Sequence, residues 1–245
     1  MMPFVTIVVT AFLEKSKPYL DLCIESIRSL DYPKDRFEVI IVSPKTWTPL
    51  YDDCLTVTPY KDHYYNGHAL NFGALHAKPH TDHLLFLNDD VILTRNSLKN
   101  LVLASSYLGD KALLMPISND MQNKYYLGPD QPLGPYRIEH VKDADYMFNF
   151  SSPYDHFGVV FFETLCLYAN LVPIGMWKQV GEYDEVMEGQ TDIDYCLRVK
   201  KAGYINGVVL NSFMYHAGGA SADLTHTAES RAKSLEQFNE KWGEQ

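Results

Sequence analysis

The sequence predicts an α/β fold with a mostly parallel central sheet flanked by helices. Three observations carry that reading. Over the first hundred or so residues, short apolar runs alternate with stretches of helical periodicity, the pattern of βαβ units. Hydrophobic residues make up 46% of the 245, ample for a sizeable core. One run, Leu84-Leu85-Phe86-Leu87, is apolar at every position, as expected of a strand buried on both faces.

The elements follow in order. Phe4-Val5-Thr6-Ile7-Val8-Val9 is a β-branched run and reads as the first strand. It ends at Thr10-Ala11-Phe12, a polar-to-small step suited to a ligand-facing loop. Pro18 opens a helix over 18–30, with Leu20, Ile24 and Ile27 on one face, and Asp31-Tyr32-Pro33 stops it. Phe37-Glu38-Val39-Ile40-Ile41-Val42 is the second strand, ending at Ser43-Pro44, and 54–57 is a weaker third. Residues 66–77 read as a helix of small residues that lets a backbone or a ligand come close. After the 84–87 strand come a helix over 97–108 and a strand over 111–117. Residues 118–157 break the alternation. They are rich in Tyr, Asn, Asp, Pro and Gly, are long for a mere connection, and read as a substrate-side insertion. Residues 161–173 re-enter the sheet and Gly181-Glu182-Tyr183-Asp184-Glu185 turns the chain. A helix over 192–202 ends at Gly203, followed by a strand over 205–210, a flexible loop over 216–221 and an amphipathic terminal helix over 228–242.

Composition narrows the function. The formal net charge of −10 counts against broad electrostatic binding to nucleic acid and leaves room only for a local basic groove. Cys23, Cys54, Cys166 and Cys196 are scattered without CxxC spacing, and read as small hydrophobes in a reducing compartment. The apolar stretch 4–13 is about half a membrane span and lacks a basic flank, which predicts neither signal peptide nor anchor. The expectation is a soluble cytoplasmic protein, with the amphipathic terminal helix leaving a homodimer open.

Three groups of residues could carry chemistry. The 84–87 strand runs into Asn88-Asp89-Asp90, and carboxylates at a strand's carboxyl end sit where open α/β sheets bind ligands. Two hard oxygen donors there suit Mg2+ or Mn2+ shared with substrate phosphates; read alone, the stretch is equally a turn. In Thr191-Asp192-Ile193-Asp194 the two acids point in different directions on a helix. Arg198 is the natural partner of Asp194 four residues on, which leaves Asp192 free at the first turn, as a general base or simply as a cap. His216, before two glycines, could reach a metal held by Asp90 or be an ordinary loop histidine.

Six segments, in order and spacing, resemble family 2 glycosyltransferases of the GT-A fold, which are inverting and use nucleotide sugars. Val5 to Phe12 resembles the family's opening strand and nucleotide loop, and Ala69-Leu70-Asn71-Phe72-Gly73-Ala74 its ARN-x-G helix. Leu87-Asn88-Asp89-Asp90 is similar to its DXD-type metal motif, and Val180-Gly181-Glu182-Tyr183-Asp184-Glu185 to its GGFDE turn. Asp192-Ile193-Asp194-Tyr195-Cys196-Leu197-Arg198 followed by Ala202-Gly203-Tyr204 resembles ED-x-D-x-x-x-R…AGY, and His216 with Gly218, Gly219 and Ser221 the closing H-x-G-G-x-S.

The resemblance implies a single GT-A domain over 1–245. Its nucleotide-binding half is 1–117, its acceptor-side insertion 118–157, its catalytic half 158–227 and its C-terminal helix 228–245. It implies that Asp90 holds Mn2+ or Mg2+ on the donor diphosphate with His216 in the same shell. It makes Asp192 the general base toward an acceptor hydroxyl of a glycan or other molecule. Thr10, Ala11, Phe12, Ser43, Asn71, Asn88 and Asp89 line the nucleotide sugar. Asn170 and Trp177 fall on the acceptor side, Trp177 reading at least as well as a core residue. Tyr125, Tyr126, Tyr136, Tyr146 and Tyr154 could stack sugars, form a lid or make an interface. The chain departs from the family at three places: Ser43-Pro44-Lys45 stands where many relatives carry an Asp, Leu70 replaces the ARN arginine, and Thr191 replaces a Glu. These departures motivate the alternative of a catalytically silent module that binds a sugar nucleotide or glycan.

Overall fold

The computed structural model describes residues 1–59, 66–119, 144–149, 157–166, 168–187, 189–217 and 228–243. Among them the strands β1 (Val5–Thr10), β2 (Phe37–Val42), β3 (Leu55–Val57), β4 (His83–Asn88), β5 (Val91–Leu93), β6 (Ala112–Ser118), β7 (Val159–Phe162), β8 (Ala169–Pro173) and β9 (Ile205–His216) form one sheet. Its order is β3-β2-β1-β4-β8-β6-β9-β5, with β7 also on β9. The helices are α1 (Lys17–Arg28), α2 (Asn66–Ala74), α3 (Ser97–Tyr107), α4 (Ala144–Asn149), α5 (Ile174–Val180), α6 (Thr191–Lys201) and α7 (Ala228–Trp242).

The first half follows the expected βαβ pattern. β1 is buried at all six positions and pairs in parallel with β2 on one side and β4 on the other. α1 lays Leu20, Cys23, Ile24 and Ile27 on the sheet. The small residues of α2 do what their size predicts. A Cβ on Gly73 would collide with Val8 and come within 2.9 Å of Val42 Cγ2, so only glycine lets the helix lie this close to the strands.

The second half departs from the expectation of a mostly parallel sheet. β8 runs antiparallel to β4 and to β6, and β5 and β7 run antiparallel to β9; only β6 and β9 pair in parallel there. The sheet is therefore mixed. The reason is where the chain re-enters. β6 ends at the carboxyl edge, and β8 starts at that same edge, Ala169 opposite Leu87, so it must run back down the sheet. The apolar stretch 161–173 divides into the end of β7 and β8, and α5 follows directly, a helix the periodicity does not announce. β9 continues through His216, past the expected end at 210, and crosses a register shift opposite Pro116 and Ile117. Gly203, with φ of 84°, ends α6 as read from the sequence. Among the described residues no helix is long and apolar enough to cross a membrane.

Candidate active site

Parallel register brings the ends of three strands together. Thr10 lies beside Val42 and Asn88, and Ala11 N–H continues the ladder to Val42 O at 2.9 Å. Thr10, Ala11, half-buried Phe12, Ser43 and Asn88 thus share one carboxyl edge. The Ser43 hydroxyl is buried there without a hydrogen-bond partner, a costly state that a bound polar group would relieve. Thr10 Oγ1 donates to Asn66 Oδ1 at 3.3 Å, which ties the start of α2 to the same edge.

The Asn88-Asp89-Asp90 stretch leaves β4 as a tight turn before β5. Its two acids part company. Asp89 is buried and accepts a short hydrogen bond from Ser16 Oγ at the start of α1. Burial first, then the charge of Asp90, push its carboxyl up to about 7, against the opposing effects of Ser16 and His216. Asp90 faces His216, with Oδ1 3.3 Å from Nε2. The contact is built by backbone pairing: β5 puts Val91 opposite His216, and Ala217 N–H donates to Asp90 O at 3.1 Å. Two further groups hold the residue. The Tyr168 ring stacks on the imidazole with centroids 4.2 Å apart. The Asn119 side chain clamps the backbone: its Oδ1 accepts the His216 backbone N–H at 2.7 Å and its Nδ2 donates to the His216 carbonyl at 3.1 Å.

A divalent cation is the group this pair implies. Among the described residues no cluster of three or more His, Cys, Asp or Glu side chains could hold a metal unaided. One carboxylate and one imidazole fit an ion whose remaining positions are filled by phosphate oxygens and water, the usual state of Mg2+ and Mn2+ at phosphate sites. The imidazole favours the softer Mn2+.

The second acid group lies at the same edge. α2 and α6 meet at their amino ends: a Cβ on Gly67 would stand 3.3 Å from Thr191 Cγ2 and 3.2 Å from Asp184 O. Asp192, in the first turn of α6, accepts the neighbouring Ile193 N–H at 2.9 Å. Burial raises its carboxyl above the ordinary 3.8, against the pull of backbone amides. Asp194 points elsewhere, to Arg198 Nε at 2.9 Å, as the helical spacing predicts. Asn71 takes up the backbone of Tyr183: its Nδ2 donates to Tyr183 O and its Oδ1 accepts Tyr183 N–H, both at 2.9 Å. His68 Nδ1 sits 2.8 Å from Glu185 Oε1.

Trp177 is half-buried in an aromatic cluster with Phe86, Tyr183 and Tyr195, at 5.3, 5.6 and 6.1 Å. Asn170, opposite Phe86 on β8, is fully buried with both amide atoms unpartnered. Tyr125, Tyr126, Tyr136 and Tyr154, like Gly218, Gly219 and Ser221, lie outside the described residues; Tyr146 falls in α4. The sequence reading missed Ser16, Asn119, Tyr168 and Glu185, whose partners are all distant along the chain. The one available sign is Asn119, a polar residue two positions past the 111–117 run.

No protein-family model matches the chain, and no curated protein sequence matches it. Solved structures do. S. aureus TarS 1–349 in complex with UDP-GlcNAc superposes with a TM-score of 0.61 at 13% identity, over 97% of this chain and 66% of that one. GalNAc-T7 with UDP, GalNAc and Mn2+ superposes with a TM-score of 0.69 at 11% identity, over 98% of this chain and 49% of that one. Another structure of S. aureus TarS gives 0.60 at 14% identity, over 97% and 39%. The chain spans between 39% and 66% of the length of these three structures. The likeness is one of fold: this chain and these structures share an α/β architecture.

Proposed function

We propose that the protein is a metal-dependent inverting glycosyltransferase that moves a sugar from a nucleotide-diphosphate donor to an acceptor hydroxyl. The observation that carries this reading is the convergence at one sheet edge of the Asp90–His216 pair and the half-buried Asp192, whose carboxylate bonds the Ile193 N–H. The fold shared with structures that contain UDP-GlcNAc, or UDP, GalNAc and Mn2+, supports it.

In this reading the nucleotide lies along Thr10-Ala11-Phe12, with the Ser43 hydroxyl and Asn88 within reach of its polar edge. Asp90 and His216 would hold the cation, which when bound would offset the charge that develops on the leaving diphosphate. Asp192 takes the proton of the acceptor hydroxyl. The acceptor oxygen then forms its bond to the anomeric carbon as the bond to the diphosphate oxygen breaks, and the diphosphate leaves with the electron pair. Attack from the face opposite the leaving group inverts the centre. Asn170 is placed on the acceptor side, where its buried amide would have to be uncovered before it met a hydroxyl. Four free cysteines support a reducing, cytoplasmic setting.

The test is nucleotide-sugar hydrolysis and transfer across a donor panel with Mn2+, Mg2+ or EDTA, wild type beside Asp90→Ala and Asp192→Asn. The expected result is metal-dependent release of one nucleotide diphosphate, lost in Asp90→Ala. Asp192→Asn should keep donor binding and lose transfer; undiminished transfer in that variant sinks the base assignment. One observation favours a second reading. Leu70, at the place of the family's arginine, is fully buried and supplies no cation. Donor binding without hydrolysis or transfer over a broad acceptor panel would identify a silent sugar-nucleotide module.

A further inference from the structure

Asp194 is fully buried, yet three cationic or polar side chains reach it. Arg198 Nε bonds Oδ2 at 2.9 Å from within α6. Trp242 Nε1 at 3.0 Å and Lys241 Nζ at 2.8 Å both reach Oδ1, from the last turn of α7. Lys241 Nζ also lies 2.8 Å from Asp184 Oδ2, in the turn that Asn71 holds against α2. One ammonium therefore joins the turn before α6 to α6 itself, with Asp192 between the two attachment points. Phe238 is buried on the same helix, and the Lys201 ammonium lies 5.8 Å from the Trp242 ring.

A buried carboxylate must have its charge matched and its oxygens bonded. Arg198 serves one oxygen of Asp194; among the described residues, the partners of the other both belong to α7. Rotation of α6 about its axis would break those bonds. It would also displace Asp192, two residues earlier on the helix. A carboxylate about 5–6 Å from the axis moves about 1 Å for a rotation of roughly 10°. Misplacement on that scale is enough to cost a reaction about a hundredfold.

We propose that Lys241 and Trp242 are positioning residues for Asp192: the last turn of α7 fixes the rotation of α6 and so fixes where the reacting carboxylate sits. The inference rests on the assignment of Asp192 as the base. The groups that face Asp192 electrostatically are Tyr183 from the turn and Cys196 from its own helix. Neither belongs to α7, so α7 acts through geometry and solvent access.

The test uses the whole protein as Lys241→Met, Trp242→Phe, the double variant, and Lys241→Arg as the conservative control. Titration of the Asp192 carboxyl is followed by carbon-13 NMR without substrate, its signal assigned by loss in Asp192→Asn. In the double variant the midpoint should fall toward the ordinary carboxylate value by about half a pH unit or more, as water reaches the loosened first turn. The transfer rate kcat should fall about tenfold or more while acceptor KM and donor Kd stay within about twofold. Lys241→Arg should restore both. Should the double variant fail to fold, Trp242→Phe alone, which keeps the ring and the Lys241 bond, is read for the same two quantities. An unchanged Asp192 midpoint and unchanged kcat in a folded variant overturn the proposal. Transfer by Asp192→Asn at the wild-type rate overturns the base assignment instead, and the NMR titration still decides whether α7 sets the surroundings of Asp192.

Discussion

Asn71 offers a direct contest between what the motif implies and what the structure gives it to do. The resemblance puts this residue on the nucleotide sugar. In the structure its side chain is 3% exposed and exchanges two hydrogen bonds of 2.9 Å with the backbone of Tyr183, itself 2% exposed. Asn71→Ala would strand one buried N–H and one buried carbonyl. Each unsatisfied buried group costs about 1–3 kcal/mol, so the pair sets an expected loss of about 2–6 kcal/mol. Water entering the vacated space would pull the value toward the lower end. Asn71→Asp is the sharper variant. It keeps the acceptor for Tyr183 N–H but turns the donor toward Tyr183 O, and toward Glu185 Oε1 at 3.4 Å, into a repelling oxygen. Urea unfolding followed by circular dichroism measures both, beside donor affinity by calorimetry. A loss of stability below about 0.5 kcal/mol, together with a donor Kd weakened tenfold or more, would show Asn71 to be a ligand contact and not the clamp of the turn.

Three further outcomes are expected. Gly73→Ala should destabilise by about 1–3 kcal/mol in urea, because its Cβ would meet Val8 and Val42 of the packed sheet; a neutral result would mean that α2 can lift freely. The pH profile of transfer should have its acid limb above pH 3.8, because burial raises the Asp192 carboxyl and the base works only when ionised. Activity is then lost as pH falls through that raised value, and a limb at or below 3.8 would contradict the burial argument. His216→Ala should weaken Mn2+ affinity in the presence of nucleoside diphosphate by about 10–100-fold by calorimetry, with a smaller effect on Mg2+; equal affinity would remove His216 from the shell.

Much of this site was legible because its signals are local. The apolar run Leu84-Leu85-Phe86-Leu87 fixes a buried strand, and the acids after it can only lie at its end. The separation of Asp192 from Asp194 follows from helical geometry and is what the Arg198 bond displays. What stayed hidden depends on long-range pairing. Nothing near Asp90 announces that Val91-Ile92-Leu93 will pair with the end of β9, yet that short ladder delivers His216. β9 itself looked shorter because Asn211 and Ser212 interrupt its apolar run; the structure absorbs them in a register shift, with Ser212 Oγ bonded to Ser97 O at 3.0 Å. The terminal helix reads as amphipathic, but its sequence does not say what its inner face meets: Phe238, Lys241 and Trp242 pack on their own molecule.

Strand order locates the site by an argument independent of any motif. From β1 the chain crosses to β2 and β3 on one side, then returns to add β4 on the other. Successive connections leave β1 in opposite directions, and a crevice opens between the carboxyl ends of β1 and β4. Thr10-Ala11-Phe12 and Asn88-Asp89-Asp90 are the segments that leave the two strands at that point, held in register by Thr10 opposite Asn88. A fully parallel sheet would have continued beyond β4 with another crossover. Here β8 begins at the carboxyl edge and runs the other way, so the segment before it stays on the crevice side and sets Tyr168 against His216. The reversal that the sequence did not predict is thus what sets an aromatic ring against the Asp90–His216 pair. A parallel replacement for β8 would start at the far edge of the sheet and leave that imidazole without its stacking partner.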